Sequence, residues 1–174
     1  MYKRQHPFNP YNYNRPAVYK DFGFTDFIDK FDFPKNVKRV REYISDEANV
    51  DRIISEYEKN RKKTDQPFYM YNMTIQNHSP YDKDAANFKQ PIKIESSKYD
   101  AEANRYLNLI KYSDDSLKQL TGYFEKCKEP TIILFLGDHQ PRLTDEFMNK
   151  ITNGQYQTWS SEQMMKRYQV PFVI

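Results

Sequence analysis

The apolar positions of this 174-residue chain fall into separate patterns, each with its own period. Ala48, Ile53, Ile54 and Tyr57 form a partial stripe that predicts a helix over 46–62, with Asp46 as an acid in its first turn. "PFYMYNMTI", residues 67–75, is apolar and aromatic and predicts a strand begun at Pro67. "QNHSPY" breaks that strand, and 82–96 reads as a polar loop. The clearest period follows. Ala103, Tyr106, Ile110, Ser113, Leu117, Leu120 and Phe124 recur at three- and four-residue steps, which predicts an amphipathic helix over 98–126. After Pro130 the run "TIILFLG" is apolar on every residue but the first and last. That suits a strand over 131–136 covered on both faces, as in parallel sheets. Shorter helices are expected at 143–152 and 160–168, and "QVPFVI" at 169–174 reads as one more buried strand.

The first part of the chain has no such period. "HPFNPYNYNRPAVYKDFGFTDF" carries three prolines and several asparagines, so 1–45 is expected to be irregular and to order by burying its rings on something else. Strand, helix, strand, helix, strand is the α/β pattern. The expectation is a single partial domain over 1–174, with 1–45 a loop region and 46–174 the α/β portion, around a thin, mostly parallel sheet.

Composition narrows the function classes. With 15 Tyr and 12 Phe the chain is too aromatic for disorder, and 29% charged residues give it a well-solvated surface. The net charge of +3 is small and dispersed, which argues against nucleic acid and permits an anionic substrate. The single cysteine, Cys127, excludes an internal disulfide and a cysteine-based zinc site and reads as a packing thiol. No run approaches the roughly 20 apolar residues of a spanning helix, and "MYKRQHPFNP" lacks the apolar region of a signal peptide.

The candidate chemistry lies where predicted strands end. Gly137 permits a tight turn, Asp138 offers a hard oxygen and His139 a borderline nitrogen, a pair suited to a divalent metal. A solvated turn would use the same residues. His78 also follows a predicted strand, in a sequence equally suited to a plain Asn-His-Ser-Pro turn. His6 precedes Tyr13 and Arg15 in the aromatic segment, and an arginine fork matches phosphate oxygens.

"FYMYNMTIQNHSPY", "YLNLIKYSDDSLKQLTGYF" and "PTIILFLGDHQP" resemble, in order, the C-terminal part of the lipoteichoic acid synthase-like sulfatase family, within the alkaline phosphatase superfamily. "HPFNPYNYNRPAVYKDFGFTDF" resembles that family's substrate loop. The resemblance implies a partial three-layer αβα sandwich. It also implies a divalent metal, most often Mn²⁺ with Mg²⁺, Zn²⁺ or Ca²⁺ as alternatives, held in part by Asp138 and His139. His6, Tyr13, Arg15 and His78 match positions that cradle glycerol phosphate; Tyr13 stands where the synthases commonly carry Trp, and Leu143 where they can carry Ser. The implied substrate is a phosphatidylglycerol-type head group or an anionic glycerol-phosphate polymer. The implied setting is the extracellular face of a bacterial membrane, and the implied partner is an N-terminal half of the same domain supplying the nucleophilic Thr and a metal-binding Glu. A true sulfatase or phosphoester hydrolase of the superfamily, and a non-catalytic module binding anionic wall polymer, are the alternative readings.

Overall fold

The computed structural model describes residues 1–95, 100–152, 154 and 156–174. Its centre is a parallel three-stranded sheet in the order β2-β1-β5, with β1 at Tyr2–Gln5, β2 at Asp26–Ile28 and β5 at Tyr69–Asn72. The 1–45 segment is therefore not irregular. It supplies the middle strand, helix α1 (Arg15–Asp21), β2, and a hairpin arm of β3 (Arg39–Val40) that turns into β4 (Tyr43–Ile44).

The middle strand reads "YKRQ" and has no hydrophobic signal; its buried polar side chains are held by partners from across the fold, with the Arg4 Nε and Gln5 Oε1 left without a hydrogen bond. Successive residues face opposite sides of a strand. Lys3 and Gln5 face helix α2 (Asp46–Arg61): the Lys3 Nζ lies 2.7 Å from Glu56 and 2.6 Å from Asp26, and the Gln5 amide donates to the Asn49 carbonyl at 2.9 Å. Arg4 faces the other way, its guanidinium 3.7 Å from the Tyr19 ring centroid on α1 and 3.9 Å from that of Tyr71. Stacking between two rings shields a planar cation as a single apolar neighbour could not.

Helix α2 starts where expected, with Ser45 as its N-cap accepting from the Ala48 amide at 3.1 Å. Helix α3 (Ala101–Phe124) lies against it, and the first residues expected in that helix, 98 and 99, fall outside the described residues. Its buried face is rotated from the expected stripe. Asn104, Asn108, Leu109 and Ser116 are buried together with Ala103, while Ile110 is exposed. The asparagines are inside because they stitch the 82–95 segment to the helix: Asn108 bonds both the amide and the carbonyl of Ile92, and Asn104 the amide of Ile94. Hydrophobic periodicity is blind to such buried amides.

The two late strands differ most from expectation. Only Phe135–Leu136 (β6) and Phe172–Val173 (β7) are extended, and they pair with each other, antiparallel and apart from the main sheet. Ile132 is 86% and Ile174 80% exposed, so neither run is a covered central strand. Among the described residues, none packs over them closely enough to bury them. Helices α4 (Asp145–Thr152) and α5 (Ser161–Met165) occupy the places predicted for them, α5 being shorter and followed by a single 3-10 turn.

Two apolar clusters support the turns that matter below. Ile28, Phe33, Ile44 and Ala48 form one; Val40, Tyr81, Phe88 and Leu109 form the other, with Tyr106 and Leu143 packed against it. Leu143 is thus part of the packing beside the 76–81 turn. Cys127 is a free, partly buried thiol whose Sγ lies 3.7 Å from the Tyr123 carbonyl.

Candidate functional site

His6 stands at the carboxyl end of β1, the end at which open parallel sheets gather ligands. It is 1% exposed. Its Nδ1 lies 3.1 Å from the Met73 carbonyl, a contact that only a protonated Nδ1 can make as donor, so Nε2 is left bearing the lone pair. That Nε2 is buried with no hydrogen-bond partner. Burial brings the His6 pKa down to about 4, against the Met73 contact that favours the charged form; the positive fields of Arg15, Arg4 and His78 lower it further. His6 is therefore a neutral acceptor at pH 7.

The same fields show what surrounds it. Arg15 opens α1 and is buried, its Nη1 donating to the Asn9 carbonyl at 3.1 Å. Tyr13 and Asn14 just before it take left-handed conformations, φ 58° and 50°, which swing the chain into the helix. Tyr13 is 85% exposed, and its ring centroid lies 5.0 Å from the Arg15 guanidinium carbon. Among the described residues, neither Arg4 nor Arg15 has a carboxylate within ion-pair distance. Two buried cations without counter-ions beside an unpartnered imidazole nitrogen form a place with affinity for anions.

His78 closes this group from the turn after β5. A chain of rings connects it to His6: His6 to Phe8 at 6.2 Å between centroids, Phe8 to Tyr43 at 5.9 Å, Tyr43 to His78 at 6.2 Å. The His78 Nδ1 lies 2.6 Å from the Ser79 carbonyl, which again turns Nε2 outward as an acceptor. The turn itself is rooted in the body of the protein. Gln76 receives the Asp46 amide at 3.0 Å, and Asn77 donates to Ser113 at 2.8 Å, which in turn donates to Asp46 at 2.5 Å.

Asp138 and His139 follow β6 after Gly137 and are well exposed. The Asp138 Oδ1 accepts from the His139 amide at 2.9 Å, and the His139 Nδ1 lies 2.9 Å from the Gln140 carbonyl. The His139 Nε2 then faces the Asp138 Oδ2 at 3.5 Å. The oxygen and nitrogen donors and their spacing fit two ligands of one divalent ion, each about 2.1 Å from it. No group of three or more candidate ligands occurs among the described residues. Asp138 also lies within electrostatic reach of the 77–81 turn. Burial pushes the Tyr81 hydroxyl up to about 12, with Tyr106 and Asp138 adding to the shift, and Tyr106 is raised first by burial and then by Asp138.

Sequence reasoning missed Arg4, Arg41, Tyr43 and Tyr81. Arg4 and Arg41 sit in "YKRQ" and "KRVRE", stretches that read as solvated charge, and nothing local marks either as buried or clamped.

The fold is α/β with a parallel sheet, and His6 and Arg15 lie together beyond the end of its middle strand. The chain belongs to the Sulfatase family, whose model matches residues 2–174. It is 32% identical over 97% of its length to a putative cyclic beta-1,2-glucan modification protein of Rhizobium meliloti, covering 26% of that protein. It is 30% identical over 73% of its length to the lipoteichoic acid synthase-like YvgJ of Bacillus subtilis, covering 20% of it. The chain thus spans about a quarter or less of these relatives. Among solved structures, the lipoteichoic acid synthase LtaP of Listeria monocytogenes superposes with a TM-score of 0.77 at 24% identity, over 98% of this chain and 42% of that one. The phosphoglycerol transferase GacH of Streptococcus pyogenes, solved with sn-glycerol-1-phosphate, superposes with a TM-score of 0.67 at 23% identity, over 89% of this chain and 41% of that one. No helix among the described residues is long and apolar enough to cross a membrane.

Proposed function

We propose that this chain carries the substrate cradle and part of the metal site of a cell-surface phosphoglycerol transferase that acts on phosphatidylglycerol-type phosphodiesters or anionic glycerol-phosphate polymer. The observation that carries the reading is the grouping of His6, Arg15 and His78: buried positive charge without a carboxylate, next to two imidazoles whose Nε2 atoms accept. A glycerol-phosphate group has both complements, phosphate oxygens for the arginine fork and hydroxyls that donate to neutral imidazole. Tyr13, exposed beside Arg15, offers its ring to the glycerol carbons. The similarity to GacH, solved with sn-glycerol-1-phosphate, supports the same ligand class.

Asp138 and His139 would hold a divalent ion, with Mn²⁺ the first choice. Bound there with its remaining ligands, such an ion supplies positive charge that lowers the pKa of a hydroxyl nucleophile and neutralises charge on phosphorus. This chain's own residues bind and orient: Arg15 fixes the phosphate, His6 and His78 fix the hydroxyls, and the buried walls around His6 keep water from competing for Nε2.

The test is a titration of the chain with sn-glycerol-1-phosphate followed by NMR of its histidine and arginine side chains. His6, His78 and Arg15 signals should shift together, and Arg15→Ala should weaken binding by tenfold or more, about the worth of a charge-assisted bidentate contact. Shifts that persist unchanged in both Arg15→Ala and His6→Gln would rule the cradle out. Tighter binding of methyl sulfate than of the phosphate would favour a sulfuric ester as substrate.

A further inference from the structure

Arg41 sits in the two-residue turn of the β3–β4 hairpin, far in sequence from the 76–80 turn, yet its guanidinium holds that turn at three points. Nη1 donates to the Pro80 carbonyl at 2.7 Å; Nη2 donates to the Gln76 carbonyl at 2.7 Å and to the His78 carbonyl at 2.8 Å. Three carbonyls converging on one point repel one another, and a planar cation with forked donors is the side chain suited to hold them together. Arg41 is itself fixed. Its carbonyl accepts from Asn87 at 2.9 Å, and its guanidinium carbon lies 5.3 Å from the Tyr43 ring centroid and 5.8 Å from that of Tyr81. Tyr43 is also the ring beside His78, and the Tyr81 hydroxyl donates to the Asn77 carbonyl at 2.9 Å. Arg41 adopts φ 53°, a left-handed backbone that a non-glycine residue holds only against a cost of about 1 kcal/mol or more.

We infer that Arg41 is a positioning residue for His78: by holding the Gln76, His78 and Pro80 carbonyls together, it fixes the turn in which the His78 Nδ1–H is committed to the Ser79 carbonyl and Nε2 is presented to substrate. The functional part of this inference rests on the assignment of His78 to the glycerol-phosphate cradle; the structural part does not. Without the clamp the three carbonyls separate, Ser79 leaves the reach of Nδ1, and the imidazole is free to exchange tautomers and rotate. The side chain would remain but its acceptor would no longer be aimed.

The experiment is ¹⁵N NMR of the histidine side chains at pH 8, with each assigned by its His→Gln variant. In the parent chain His78 should show the Nδ1–H tautomer. In Arg41→Ala, His78 should convert to a mixture or to the Nε2–H tautomer while His6, whose Nδ1 contact to Met73 is independent of Arg41, stays as it was. The affinity for sn-glycerol-1-phosphate should fall about tenfold, the worth of one well-placed hydrogen bond. Arg41→Lys keeps the charge but not the fork and should give a partial His78 change; it also decides the matter if Arg41→Ala does not fold. An unchanged His78 tautomer in the folded variant, or a change that spreads equally to His6, would overturn the inference. A His78 change with unaltered glycerol-phosphate affinity would uphold the clamp and instead remove His78 from the cradle.

Discussion

At the scale of single residues, the site depends on groups kept out of their usual state by burial. His6 is the clearest. Its folded pKa of about 4 lies below the ordinary 6.5, so the unfolded chain takes up a proton that the native one refuses as pH falls between these values. The stability that His6 contributes is present above pH 6.5 and lost progressively toward pH 4, by about 3 kcal/mol at the lower limit. NMR titration should find His6 neutral at pH 5.5. His6→Gln should remove this part of the acid sensitivity in denaturant melts taken between pH 7 and 4. Asp46 has the opposite sign. Burial raises its carboxyl to about 6 from 3.8, against the Ser113 hydrogen bond, so the folded state holds the extra proton. Its contribution is present below about pH 4 and lost as pH rises through 6. The two slopes partly cancel, and Asp46→Asn should therefore make the chain more acid-sensitive than its parent over pH 4–6.

At the scale of elements, the site is assembled by turns that lean on helices. The 76–81 turn touches α2 through Asp46, α3 through Ser113, and the hairpin through Arg41. Leu109 on α3, fully buried, packs with Val40 and Tyr81 and so supports the hairpin and the turn at once. Leu109→Ala should cost 2–5 kcal/mol in a denaturant melt, the range for a buried leucine whose space cannot close. It should also blur the His78 signals more than those of His139, which lies outside this cluster. Helix α2 was legible because Ala48, Ile53 and Tyr57 of its stripe are buried, although Asp46, Asn49, Glu56 and Asn60 are buried beside them. Helix α2 and β5 were found in place, and α3 was found with its face misassigned, because Asn104 and Asn108 are buried by hydrogen bonding. Strand β1 was missed for the same reason in stronger form, since each of its polar side chains has a partner that only the fold supplies.

At the scale of the whole molecule, the body around β2-β1-β5 is packed, and the ribbon carrying Asp138 and His139 is open. Ile132 and Leu134 are 86% and 57% exposed, so replacing both by Lys should change the stability of this chain by no more than about 0.5 kcal/mol. A larger loss would mean that the ribbon is covered in solution. The openness also bears on chemistry. With one carboxylate and one imidazole at the pair, and no nucleophile assigned among these residues, the chain is not expected to turn over a nitrophenyl phosphodiester with Mn²⁺ present. Turnover that disappears in Asp138→Ala would show a complete site within these residues.

What the sequence determined by itself was the chemistry on offer and its order: Gly-Asp-His after an apolar run, a histidine after an aromatic strand, a histidine and an arginine framing an aromatic loop, and helices at 3.6-residue periods. These are local facts, set by neighbours in the chain. Only the tertiary structure decided that a polar tetrapeptide is the central strand, that His6 is buried and neutral, and that Arg41 reaches across to the His78 turn. It alone showed that the most hydrophobic run of the chain lies exposed. Burial and pairing depend on groups far apart in sequence, and a residue's own type records neither whether it is covered nor by what.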